Sequence, residues 1–208
     1  MIDTIPTRQV FGPLFVIQFF SWSGMFCLWI YAVPVITRFV LHAAPESAAY
    51  RSGLILISAC FACYALLGAA LSFVVPGAVA RFGNGLAHGT SLLIGAAGIA
   101  LIGVIDRPLG LAFAFPAIGV GWASMSSIPY AIASAAAPEG KGSHFMRVFG
   151  FSTVIPQVIV TLGLAVIVPF WLGDAGNRVL IGGGAMMAAG GVLALAMHKR
   201  FDLPVEPW

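Results

Sequence analysis

Residues Gly121–Val160 read GWASMSSIPYAIASAAAPEGKGSHFMRVFGFSTVIPQVIV. Two apolar runs flank a short polar turn. The first run carries Trp122, Ser124, Ser126, Ser127 and the pair Pro129-Tyr130; the second carries Thr153, Pro156 and Gln157. Polar side chains and helix-bending prolines cost free energy at membrane depth. A helix that only had to be apolar would carry neither, so this stretch marks where the chain does more than span.

The rest of the composition puts that stretch in a membrane. The chain has 208 residues, 60% of them hydrophobic and 8% charged. Soluble domains carry about 25% charged residues. The seven acids fall in polar gaps or at the ends, and the apolar runs between them exceed the roughly 20 helical residues that cross a bilayer. A transmembrane strand would need about 10 residues of alternating character, and no such alternation occurs. The pattern predicts an all-α polytopic membrane protein forming one domain over residues 1–208. Its six spans are expected at about 11–41, 53–75, 88–105, 109–137, 145–172 and 179–197. Pro76 to Ala87 reads as a turn, and the fourth span as broken or bent around Pro116 and Pro129. The first run is too long for a signal-peptide core of about 7–15 residues.

Charge excludes some partners and orients the chain. The net charge of +3 comes from basic residues spread singly, with no cluster longer than Lys199-Arg200, so nucleic acid is not expected. Arg8, Arg81, Lys141, Arg147, Lys199 and Arg200 fall on one side of six crossings, and Arg38, Arg51, Arg107 and Arg178 on the other. Six against four favours both termini in the cytoplasm of a plasma (inner) membrane. Cys60 and Cys63 form a CxxC with no second pair or histidines at ligand spacing, which reads as small buried helix residues and not a metal or redox pair. No metal and no cofactor is expected.

Three constellations bear on chemistry. Gln18, Trp22, Trp29, Tyr64, Trp122, Tyr130 and Gln157, with Ser126, Ser127 and Thr153, put aromatic rings and hydrogen-bonding groups at membrane depth. A sugar presents hydroxyls and apolar C–H faces, and such a set suits it; interfacial aromatic belts and interhelical hydrogen bonds would use the same residues. Pro129 and Pro156 bend two helices and release backbone carbonyls. Small residues at four-residue spacing, as in Ala96/Ala100, Gly184/Ala188 and Gly190/Ala194, let helices approach closely. Against these stands an absence: no Asp or Glu lies within an apolar run, and the four histidines read as residues of segment ends. Ser124, Ser126 and Ser127 therefore have no expected histidine partner for nucleophilic catalysis, and no enzyme is expected.

The motifs Gly121-Trp122, Ser127-Ile128-Pro129-Tyr130-Ala131 and Val154-Ile155-Pro156-Gln157 resemble the tenth and eleventh helices of the sucrose/proton symporters of the major facilitator superfamily. QFFSWSGMFCLWIYAVPVI, from Gln18, resembles that family's seventh helix. GAVARFGNGLAHG is like the superfamily's charged turn, but Ala80 stands where an acid is usual and Asn84-Gly85 replaces a basic pair. The resemblance implies the six-helix second half of a twelve-helix carrier, with sugar:proton symport by alternating access. It implies Gln18, Trp22, Trp122, Ser126, Tyr130 and Gln157 as substrate-binding residues on spans one, four and five. Its implied partners are membrane lipid, a small-molecule sugar, and a separately encoded six-helix half or a second copy of the chain. A non-transporting remnant or a membrane scaffold subunit would also fit the residues.

Overall fold

The computed structural model describes residues 7–138, 140–168 and 176–202. Every described element is helical. Helix α1 covers Thr7–Val35 and runs on as a π-helical segment, Ile36–Val40; α2 covers Ala48–Ser72, α3 Val75–Phe82 and α4 Asn84–Ile102. Helix α5 covers Leu111–Ala135 after a short 3₁₀ turn at Pro108–Gly110, α6 covers Gly142–Ile167 and α7 Gly176–Ala196, and a second 3₁₀ turn follows at His198–Arg200. Six of the seven helices are long and apolar enough to cross a membrane: α1 with its π segment, α2, α4, α5, α6 and α7. The chain is thus a polytopic, all-α membrane protein with six candidate spans.

The seventh helix, α3, is where the structure departs from the expected turn. It occupies the first half of Pro76–Ala87, with Pro76 in its first turn, where the missing N–H costs nothing. Gly83 then breaks the chain at φ +84°, and α4 begins at Asn84, a full turn earlier than expected. The C-terminal segment holds this corner. Asn84 Nδ2 donates to the Phe201 carbonyl at 3.0 Å, and the Asp202 carboxylate packs where a side chain at Gly83 would have to go. Helix α2 starts earlier than expected because Ser47 caps it, its hydroxyl accepting from Tyr50 N at 3.0 Å. Helix α5 is continuous through Pro116 and Pro129, so the expected break is absent. Pro169, Trp171 and Trp208 lie outside the described residues.

The spans pack in the spatial order α2, α5, α4, α7, α1, α6, with α1 and α5 also meeting each other. That order is unchanged when α1, α2 and α4 are exchanged for α5, α6 and α7. The pair α1–α7 becomes α5–α4, and α5–α2 becomes α1–α6. Three spans is an odd number, so the two triplets run in opposite directions through the membrane. Small residues make the inner contacts, as their spacing predicts. A Cβ on Gly24 would lie 2.6 Å from the Gly183 carbonyl, one on Gly184 2.8 Å from Ala100 Cβ, and one on Gly95 3.0 Å from Gly121 Cα. The outermost spans, α2 and α6, are the least buried. The CxxC lies on α2, and there the structure corrects the expectation of burial: Cys60 is half-buried and Cys63 exposed.

Candidate functional site

Three helix faces converge on one seam. On α1, Phe11, Gln18, Trp22 and Trp29 recur at intervals of seven, four and seven, which keeps them on one side of a helix. On α5, Trp122, Ser126 and Tyr130 recur every four residues. On α6, Phe145, Phe149, Ser152, Thr153 and Pro156 share a face. Aromatic contacts join the three. The Phe11 ring meets Phe145 at 4.5 Å and Phe149 at 5.9 Å, and Tyr130 meets Phe149 edge-on at 5.4 Å. Further along, Trp22 and Trp29 each lie 5.8 Å from Trp122, with Trp22 and Trp122 nearly perpendicular at 84°. Tyr64 of α2 joins this group at 6.1 Å from Trp122, and Trp29 Nε1 donates to its hydroxyl at 3.2 Å.

Polar groups lie between the two aromatic contacts. Helices α1 and α6 are spans one and five and run in the same direction. Seven residues beyond Phe11 is Gln18; seven beyond Phe149 is Pro156, with Ser152 and Thr153 a turn earlier. Helical geometry therefore sets Gln18 opposite that part of α6. Gln18 has no solvent exposure, and neither its Nε2 nor its Oε1 has a hydrogen-bond partner. Trp22 Nε1, Ser152 Oγ and Thr153 Oγ1 are likewise buried without partners. This differs from hydroxyls elsewhere in the spans. Those of Ser21, Ser23, Thr37, Ser58, Thr90, Ser91, Ser126 and Ser127 each donate to the carbonyl four residues back, at 2.6–2.9 Å. Pro156 has no N–H, so the Ser152 carbonyl also loses its helical donor. Buried polar groups are nearly always satisfied, and here an unsatisfied set faces aromatic rings.

The six expected site residues separate into two groups. Gln18, Trp22, Trp122 and Tyr130 come together in the seam. Ser126 sits between Trp122 and Tyr130 but is exposed and donates to the Trp122 carbonyl, and Gln157, a turn after Thr153 on α6, is exposed. Ser152 and Phe149 were not singled out from the sequence. Ser152 had a legible signal, because it stands four residues before a proline. Tyr130 also borders a second feature, a cavity of about 410 Å³ lined by Ser72, Val79, Asn84, Ser127 and Ser134 among others. Among the described residues no group of His, Cys, Asp and Glu could hold a metal ion.

No known family, curated protein or solved structure matches this chain.

One correction concerns the histidines. His42, His144 and His198 do lie at helix ends, but His88 does not: the early start of α4 puts it in the second turn, 2% exposed. Its Nδ1 lies 2.6 Å from the Ser124 hydroxyl of α5, so Ser124 has the histidine partner that the sequence did not predict. Ser124 itself is fully buried.

Proposed function

We propose that the chain is half of a secondary sugar carrier that binds a neutral, hydroxyl-rich substrate along the α1/α5/α6 seam. The observation that carries this reading is the unsatisfied polar set of Gln18, Trp22, Ser152 and Thr153 beside the Trp22, Trp122 and Tyr130 rings. A sugar offers what both need: hydroxyls that donate and accept, and C–H faces that pack on aromatic rings. Two inverted three-span repeats support the carrier architecture, since secondary transporters of several folds use such repeats and bind near the midplane between moving units. The motif resemblance to sucrose/proton symporters points the same way. Spans α2 and α6, barely buried within the chain, supply faces for a separately encoded six-helix half or a second copy. Exposed Ser126 and Gln157 would then face the space between the halves. The loop charges favour cytoplasmic termini in a plasma (inner) membrane.

In proteoliposomes holding the chain and its partner half, labelled disaccharide should enter, and Tyr130→Ala and Gln157→Ala should abolish entry at unchanged protein content. Normal uptake in both variants would return these residues to a packing role. A chain that assembles with other membrane helices but moves no sugar would be a scaffold subunit.

A further inference from the structure

No described span carries an acid, yet one histidine ring lies in the packed interior. Among the described residues, His88 is the only histidine or formally charged residue in the buried set. An ionisable group at membrane depth is costly and by default functional. His88 has one partner, Ser124, and its Nε2 has none. The surroundings on both helices lead to the 410 Å³ cavity. Asn84 lies one turn before His88 on α4, Ser127 and Ile128 lie one turn after Ser124 on α5, and all three line that cavity. These lining residues are therefore about one helical turn, roughly 5 Å along each helix, from the pair. Asn84 uses its Nδ2 on Phe201, and its Oδ1 has no partner among the described residues.

We propose that His88 is a proton-binding site inside the membrane, loaded through this cavity. With Nδ1–H donating to the Ser124 oxygen, the Nε2 lone pair accepts the incoming proton and the ring becomes an imidazolium. Ser124 stays as acceptor, and water reaching Asn84 supplies the remaining solvation. Among the described residues no carboxylate bonds the His88 ring. The described titratable and charged side chains packed against α4 are Cys27 and Tyr31 of α1, Arg81 of α3, Tyr130 of α5, Arg178 of α7, His198, Lys199 and Arg200 of the terminal turn, and Asp202, whose carboxylate lies against Gly83. None forms an ion pair or hydrogen bond with His88; the His198 ring bonds the Leu195 carbonyl instead. A proton is therefore held by hydrogen bonds and water, and closing the cavity would expel it. This site depends on the spans and the cavity and not on sugar binding. In a carrier it would supply the ionisable group that the apolar runs lack.

The test is a titration of the ¹⁵N-histidine-labelled chain in lipid nanodiscs, with the His88 signals assigned by their loss in His88→Gln. The ring should pass from neutral to charged as the pH is lowered over the range in which the chain stays folded. Ser124→Ala should move the midpoint to lower pH, because a hydrogen bond to the charged form is lost. Ala131→Phe, which fills the cavity, should suppress the transition. A His88 ring that stays neutral throughout, or one that titrates identically in Ala131→Phe, would overturn the proposal. Neither outcome touches the sugar reading, which is tested by uptake.

Discussion

At the scale of single residues, Gln18 is the sharpest case. A buried amide with both ends unpaired loses hydrogen bonds to water and gains none, at about 1–3 kcal/mol per group. Leucine has similar bulk and no such cost. Gln18→Leu should therefore raise the thermal stability of the detergent-solubilised chain while removing the sugar binding proposed for it. A fall in melting temperature would mean that Gln18 has a structural role. Gly83 makes the opposite case. At φ +84°, beside the Asp202 carboxylate, a side chain meets both backbone strain and a steric clash. Gly83→Ala should destabilise by about 1–3 kcal/mol, read as a lower melting temperature and increased proteolysis at the α3–α4 corner.

Between helices, the tight contacts are those a small-residue pattern can foretell. Gly24 against Gly183 and Gly184 against Ala100 leave no room for a larger residue. Gly184→Leu should reduce the yield of folded chain by separating α7 from α4, whereas substitution at Gly182, which faces open space, should leave it unchanged. The spans themselves were legible because roughly 20-residue apolar runs have few other solutions. Their ends were less so. Helix α4 begins at Asn84 because Phe201 and Asp202, more than a hundred residues away, brace that corner, and no local pattern carries such a contact. The same displacement hid His88, whose depth depends on where α4 starts. In the seam, the stripes of Gln18-Trp22 and Trp122-Tyr130 could be read from spacing. That Ser152 and Thr153 forgo the usual bond to the preceding turn could not, since that is a matter of rotamer and neighbours.

For the molecule as a whole, the uneven burial of the spans sets its reactivity. Cys63 is exposed on α2, Cys60 half-buried and Cys27 buried on α1. A membrane-permeant maleimide should label the isolated chain in that order, with Cys27 protected until the bundle unfolds. If α2 is a docking face for a second half, assembly should slow Cys63 labelling and leave Cys27 unchanged. Labelling of Cys63 at the same rate in the assembled carrier would place the partner elsewhere.

The order in which the spans pack also fixes when each can settle during synthesis. Helix α1 makes its main contacts with α6 and α7 and meets its sequence neighbour α2 mainly at Trp29 and Tyr64 and along the π-helical segment. Gly24 meets Gly183 only after roughly 160 further residues have been made, and at about 5–20 residues per second that takes on the order of 10–30 s. Through that interval α1 lacks its largest packing partner, α7. Its hydroxyls are ready for this, since Ser21, Ser23 and Thr37 close onto their own helix. Gln18 cannot do the same as well, so the nascent first span carries a polar group that its final neighbours arrive last to cover. Gln18, the buried amide without partners, is thus also the group that the early helix is least able to satisfy by itself.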